Sequence, residues 1–139
     1  MTHPFAVAFT KAWSEPTPER LCALLHRDVV LLQPHRRPIR GSDAALADFH
    51  RLFGWLRGLH GEVDRVSGHG DVVFIEWRMR LPVGDEVVTI RAVDRFLLRD
   101  GLGIERAVYF DQLALVRAVL AHPTLIPGYV RYRCGAGAT

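Results

Sequence analysis

The sequence predicts an α+β fold in which helices cover one face of a strongly curved, mostly antiparallel sheet. Three long runs rich in Val, Ile, Phe, Trp and Tyr lie within residues 71–111, separated by two short breaks that carry Gly with Asp or Pro. Apolar and polar residues alternate along each run, so one face of the sheet should meet a core. Three segments with helical spacing precede the runs and can supply the covering layer.

The N-terminal third contains two helix signals and one strand signal. Apolar residues at helical spacing predict a first helix over 4–14, which ends at the Glu-Pro pair 15–16. Thr-Pro-Glu at 17–19 supplies an N-cap, a first-turn proline and a first-turn acid for a short second helix. Residues 29–33 predict a short apolar strand, and 34–40 a loop or a second short strand with two prolines.

Residues 42–59 predict the third and longest helix. Gly-Ser-Asp at 41–43 begins it, and Gly58 and Gly61 end it. One face is apolar and is formed by Ala45, Phe49, Leu52, Leu56 and Leu59. Residues 62–69 then predict a weakly apolar strand, which a turn joins to the first long run.

Two charged residues, Asp94 and Arg106, fall on the apolar faces of the long strands. Asp94 shares its face with Ile90, Ala92 and Phe96. A carboxylate in an apolar interior is costly unless it is paired or protonated. Two interpretations follow and stay open here: Asp94 is a pocket acid that contacts a ligand oxygen, or it is the buried partner of Arg106 on the neighbouring strand. Both can hold, because an arginine positioned by an aspartate can still bind a ligand oxygen.

The C-terminal part contains one more helix signal and a tail. Asp111 is the expected N-cap of a helix that stops before Pro123. This divides the chain into one domain over 1–123 and a C-terminal tail over 124–139. The tail carries apolar residues and is expected to pack against the sheet or a partner subunit.

Composition and charge exclude several classes of function. The net charge is +3, and the single basic concentration, His35 to Arg40, has neither interleaved aromatics nor a basic helix, so nucleic acid binding is not expected. Cys22 and Cys134 lie far apart, as in proteins of a reducing compartment. No signal peptide, lipidation motif or long apolar span is visible, so we expect a cytoplasmic protein that does not bind membranes. We expect no metal and no cofactor, because the histidines share no ligand spacing and no glycine-rich phosphate loop is visible.

The order of these elements and three motifs resemble the nuclear transport factor 2-like superfamily, which includes SnoaL-like polyketide cyclases and ketosteroid isomerases. The motifs are LLHRDV at 24–29, IRGSDA at 39–44, and VDRF at 93–96 followed by DG at 100–101 and YFD at 109–111. The resemblance covers about 5–120. It implies a cone-shaped sheet wrapped round the long helix, with a pocket at the open end.

The resemblance carries the family's known chemistry over only in part. Asp94 falls where ketosteroid isomerases hold a protonated aspartic acid in the oxyanion hole. Their oxyanion tyrosine falls on Phe9, and their general-base aspartate, which precedes a proline, falls on Gln33. The arginine and the two aspartates of limonene epoxide hydrolases fall on Trp77, Met79 and Val108. Neither mechanism is therefore complete in this chain.

The remaining candidate residues each have a functional and a structural interpretation. Gln33 suits hydrogen bonding to a ligand carbonyl. His35 is the candidate base at the pocket mouth, or an exposed loop histidine. Six aromatic residues line the pocket or fill the core: Phe9, Phe53, Trp55, Trp77, Phe96 and Phe110.

Two hypotheses for function remain open. The first is a cofactor-independent isomerase, cyclase or dehydratase that acts on a small hydrophobic oxygenated molecule, with Asp94 as acid, His35 as base, and Gln33 and Arg106 as polarising groups. The second is a non-catalytic module that binds a ligand or a protein. The outer sheet face carries Phe74, Val93 and Leu97 among Arg, Glu and Thr, which predicts a homodimer through the sheet, as is common in the superfamily.

Overall fold

The computed structural model describes residues 3–34 and 36–135, and these form helices on a six-stranded sheet. The helices are α1 (Pro4–Ser14), α2 (Pro18–Cys22), α3 (Ser42–Trp55), α4 (Gln112–Ala121) and α5 (Ile126–Gly135), with a short 3₁₀ turn at Pro123–Leu125. The strands are β1 (Leu25–Leu32), β2 (Ile39–Arg40), β3 (His60–His69), β4 (Val72–Val83), β5 (Glu86–Arg99) and β6 (Leu102–Phe110).

The sheet is curled, unclosed and mixed, with strand order β2-β1-β6-β5-β4-β3. β1 runs parallel to β6, and the other neighbouring strands in the described residues pair antiparallel. Register shifts interrupt the ladder between 63 and 65 in β3 and between 97 and 98 in β5. Such irregularities bend and twist a strand. The predicted α+β class is confirmed.

Most predicted helix starts coincide with a cap of the expected kind. The Thr17 hydroxyl accepts a hydrogen bond from the Arg20 backbone N–H at 3.0 Å, and Asp111 caps α4 by accepting one from the Ala114 N–H at 3.0 Å. At the start of α3, Gly41 has φ +89° and no side chain caps the helix. Glycine fits there because a residue with a Cβ rarely adopts that conformation.

Helix α3 ends at Trp55, four residues before the predicted end at position 59. Leu56 and Leu59 are nevertheless buried, at 6% and 4% exposure. Leu56 leaves the helix with ψ 81°. The apolar spacing continued beyond the helix because the following loop also faces the core.

The described part of the predicted tail forms α5. This helix contacts α3, while the preceding 3₁₀ turn contacts α4. No single helix in the described residues is long and apolar enough to cross a membrane, although α4 and the segment 123–133 reach that length and composition together across a 112° bend.

The apolar faces that the alternation predicted are the faces that meet the core. Val73, Ile75 and Trp77 of β4 are completely buried. On β5, Ala92, Asp94 and Phe96 are buried as well, and Arg106 of β6 is 7% exposed. The core between this face and helices α1 and α3 is strongly aromatic, with the rings of Phe9 and Trp77 packed edge to face at 5.3 Å.

Gly61 of β3 provides a test of this packing. A Cβ at position 61 would lie 2.7 Å from two ring carbons of Trp77 and 3.2 Å from the Trp13 Cβ. We expect Gly61→Ala to lower the free energy of unfolding by roughly 1–3 kcal/mol, because a well-packed core resists added volume. Gly54→Ala is the control: no atom lies within 4 Å of its Cβ position in α3, and alanine should stabilise the helix by about 0.5–1 kcal/mol. If urea denaturation shows that Gly61→Ala and Gly54→Ala change the free energy of unfolding equally, the prediction is wrong.

Candidate functional site

A cavity of about 90 Å³ lies between the inner face of the sheet, the C-terminal half of α3, and α5. This volume has room for a few water molecules or a compact organic group. Most of its lining is apolar. The apolar lining residues are Trp13, Pro34, Phe49, Leu52, Trp55, Leu56, Leu59, Met79, Leu81, Ile90, Val108, Phe110, Leu115 and Tyr129.

Arg106 is the charged residue that the sheet contributes to the cavity wall. Its Nε donates a hydrogen bond of 2.6 Å to Oδ2 of Asp94, and the Trp77 Nε1–H donates one of 2.8 Å to Oδ1. Asp94 is completely buried and does not line the cavity. Both of its oxygens are therefore used to hold neighbouring side chains, and Asp94 orients Arg106.

Burial raises the pKa of Asp94 above its ordinary value. The charge and hydrogen bond of Arg106 and the hydrogen bond of Trp77 lower it, but they offset the burial only in part.

A second buried ion pair, Arg36 with Asp48, lies in the same cavity wall. The Nη2 of Arg36 donates to Oδ1 of Asp48 at 2.8 Å, and the two side chains are 4% and 1% exposed. The Nη1 of Arg36 donates to Gln33 Oε1 and, at 2.8 Å, to the Tyr132 hydroxyl. Arg51 of α3 reaches the same Asp48 oxygen at 3.5 Å. The pair thus connects α3, the segment after β1, and α5.

In this cluster Arg36 is positively charged and Tyr132 is neutral. Burial opposes the charged form of Arg36, but the hydrogen bond to Asp48 and the surrounding charges raise its pKa above the ordinary value. Burial also raises the pKa of Tyr132 to about 12, so this phenol is neutral at physiological pH. The Arg36 Nε is buried and has no hydrogen-bond partner in the described residues.

Helix α5 forms one wall of the cavity. Tyr129, Tyr132 and Arg133 contribute to the lining, and the Arg36 guanidinium lies over the Tyr132 ring at 4.2 Å. Gly128 permits the close approach of α5 to α3, because a Cβ there would lie 2.1 Å from Trp55 Cδ1. The Trp55 indole in turn donates a hydrogen bond of 3.1 Å to the Leu125 carbonyl just before α5.

The structure brings some of the predicted site residues to the cavity and places others in the core. Gln33, Trp55, Arg106 and Phe110 line the cavity. His35 lies outside the described residues. The other predicted site residues pack around or behind the cavity, away from its lining: Phe9, Phe53, Trp77, Asp94 and Phe96.

Four charged or hydrogen-bonding residues of the cavity wall were not predicted from sequence: Arg36, Asp48, Tyr132 and Arg133. Asp48 carried a usable signal, because it lies three residues after Ala45 and four before Leu52 on the apolar face of α3. Arg36 lies in the segment 34–40, for which a loop or a short strand is predicted, and Tyr132 lies in the predicted tail. Neither had a local pattern that distinguished it from its neighbours.

Potential metal ligands and thiols are the other reactive groups in the described part of the chain. No three His, Cys, Asp or Glu side chains there are placed to hold a metal ion together. Cys22 is a free thiol whose Sγ donates to the Ser42 carbonyl at 3.4 Å. Burial, followed by the charges of Asp43 and Glu19, raises the pKa of this thiol, which makes it less reactive.

Residues 6–106 match the family described as SnoaL-like domain. No curated protein matches the chain significantly.

Solved structures share the fold at low sequence identity. A protein from Jannaschia sp. CCS1, provisionally assigned as a SnoaL-like polyketide cyclase, is 20% identical with a TM-score of 0.71, covering 83% of this chain and 88% of its own. A hypothetical protein with a ketosteroid isomerase-like fold from Catenulispora acidiphila DSM 44928, solved with trimethylamine, is 15% identical with a TM-score of 0.75, covering 84% and 92%. An epoxide hydrolase from M. tuberculosis of the LEH-like type is 21% identical with a TM-score of 0.67, covering 93% and 92%. These similarities establish the fold alone.

Proposed function

The chain belongs to the SnoaL-like domain family, and from this premise we propose that it binds a small hydrophobic molecule through an oxygen atom held by Arg106. One observation carries the proposal: a guanidinium positioned by a buried aspartate lines a cavity whose walls are mostly apolar. Pockets for small molecules characteristically combine apolar walls with a few placed polar groups. Gln33 supplies a second polar group in the same wall.

Catalysis is the second candidate function, and the position of Arg106 favours it. A guanidinium next to a ligand carbonyl stabilises negative charge that develops on the oxygen, which is what a cofactor-independent isomerase, cyclase or dehydratase requires. Asp94 would serve as the positioning residue for Arg106. Asp48 is the carboxylate that lines the cavity in the described residues, and it is already bound to Arg36 and Arg51. A proton-transfer reaction therefore needs another base, for which His35 is the candidate.

Native mass spectrometry of freshly purified protein tests the binding proposal. We expect a bound small molecule that is lost in Val108→Phe, because the larger ring occupies the cavity that Val108 lines. The matched control is Val7→Phe at an exposed position of α1, which should retain the molecule. The proposal fails if folded Val108→Phe still carries the bound molecule. It also fails if the wild type neither copurifies with a small molecule nor binds any apolar ketone or ester from a fragment set.

We also propose that the protein forms a homodimer through the outer face of the sheet. Phe74, Val93 and Tyr109 lie on three adjacent strands of that face and are 44%, 36% and 57% exposed, with Val93 opposite Tyr109 in the ladder. We expect sedimentation to show a dimer at micromolar concentration and Phe74→Asp to shift it to monomer, because a charge in an apolar interface is costly. A monomeric wild type would refute the proposal.

A further inference from the structure

The arginines of the cavity exceed the carboxylates that face them, and from this we infer that the ligand is a compact organic anion whose charged oxygens bind Arg106. The inference rests on the proposed pocket function and specifies its ligand class. Two kinds of observation support it: the balance of charge around the cavity and the N–H groups that the protein leaves unbonded.

The charge around the cavity is positive. Among the described residues, four guanidinium groups, those of Arg36, Arg51, Arg106 and Arg133, line the cavity or contact its lining. Two carboxyl groups contact them: Asp48 pairs with Arg36 and Arg51, and Asp94 pairs with Arg106. Arg133 makes its described hydrogen bond to the neutral Gln112 side chain, at 3.4 Å. Arg36 and Arg106 are buried, whereas Arg51 is 39% exposed and is largely screened by solvent. Charge that is buried among apolar walls is poorly screened, so the positive charge of the lining favours a negative ligand.

The neighbouring groups compensate this excess only in part. Asp48 is shared between Arg36 and Arg51. Asp94 is fully buried and contacts Arg106 through Nε at 2.6 Å. The Tyr132 phenol, whose pKa is raised to about 12, is neutral and supplies no negative charge. Of these three groups, Asp94 alone hydrogen-bonds Arg106, and it contacts Nε only in the described residues.

Arg106 also keeps donors available. Among the described residues its hydrogen bond is made by Nε alone, and neither Nη atom is engaged, although the side chain is 9% exposed. A guanidinium presents five N–H donors in a planar fork that matches the two oxygens of a carboxylate. With Nε held by Asp94, the Nη side of the fork remains for the ligand.

The size of the cavity restricts the rest of the ligand. About 90 Å³ enclosed by leucine, isoleucine, valine and aromatic side chains suits a short apolar group attached to the anionic end. Crotonate, which has a short unsaturated carbon chain and a carboxylate, is a suitable probe. Crotonamide is its neutral counterpart with nearly the same shape.

Isothermal titration calorimetry with these two compounds tests the inference at neutral pH and at low and high salt. We expect crotonate to bind wild type at least about tenfold more tightly than crotonamide, which corresponds to about 1.4 kcal/mol. The preference should persist at high salt, because an exposed arginine would be screened there and a buried one much less. Arg106→Gln should abolish the preference. Arg78→Gln is the control, because Arg78 lies on the exposed side of β4, paired with Glu62 and Asp64.

Arg106→Gln leaves Asp94 without its partner, so the double variant Asp94→Asn/Arg106→Gln serves as a second test that removes both charged groups together. The comparison of crotonate with crotonamide binding to the wild type tests the inference even if neither variant folds. Equal or tighter binding of crotonamide overturns the inference and leaves the pocket proposal intact. Failure of both probes to bind at millimolar concentration also overturns the inference, and the mass spectrometry above then decides separately whether the pocket binds other molecules. A preference that survives in a folded Arg106 variant shows that the anion binds elsewhere.

Discussion

Replacing Asp48 with Asn is expected to lower the free energy of unfolding by roughly 3 kcal/mol, because it leaves the buried Arg36 without its countercharge. The pair has a 2.8 Å contact and both side chains are almost completely buried. Arg36 also bonds the Tyr132 hydroxyl, so the same change should loosen α5. Chemical denaturation at neutral pH measures the first effect, and limited proteolysis after residue 125 measures the second.

Asp43→Asn is the matched control, because Asp43 lies on the exposed side of the same helix. Its effect should stay below about 1 kcal/mol, the value typical of a charge in the first turn. Gly128→Ala should expose α5 to protease by an independent route, since its Cβ would collide with Trp55. If Asp48→Asn costs no more than Asp43→Asn, the Arg36–Asp48 pair does not hold this wall of the cavity.

Asp94→Asn is expected to destabilise the protein by roughly 2–3 kcal/mol at mildly acidic pH. The amide nitrogen of Asn cannot accept a hydrogen bond, so one of the two buried donors, Trp77 Nε1–H or Arg106 Nε–H, loses its partner. Asp64→Asn is the control, because Asp64 pairs with the more exposed Arg78 and should cost at most about 1 kcal/mol. A loss no larger than that of the control would contradict the arrangement around Asp94.

The cost of Asp94→Asn should depend on pH in a defined direction. Because burial raises the folded pKa of Asp94 above the unfolded value of about 3.9, the folded protein binds more protons between these two values. This contribution to stability is complete below the unfolded pKa and is lost as pH rises through the folded pKa. The difference between wild type and Asp94→Asn should therefore be largest at the acidic end. A difference that grows with pH would mean that Arg106 and Trp77 outweigh the burial.

The sequence alone determined most of the elements and the faces that the long strands bury, although α5 lies in the predicted tail. Alternation in the three long strands indicated that Trp77, Asp94 and Phe96 point inward, and all three are buried. The same pattern identified Asp94 and Arg106 as polar residues in an apolar layer, and they form a buried pair at 2.6 Å. Periodicity succeeds here because a strand has only two faces and burial of a charge is too costly to occur without a reason.

The residues that meet at the cavity could be identified only from the tertiary structure. Arg36, Asp48 and Tyr132 come from a loop, a helix and the C-terminal helix, separated by as many as 96 residues, and no local period relates them. The sequence also left open whether Asp94 contacts a ligand or only supports Arg106. Alternation shows which face of a strand is buried, but it does not show whether a buried residue lines the cavity or packs behind it. Helix α5 closes the cavity through Gly128 and Trp55, a contact that depends on how two distant helices approach each other. Local sequence specifies which side of an element is buried, whereas the three-dimensional packing of distant segments determines which buried groups meet.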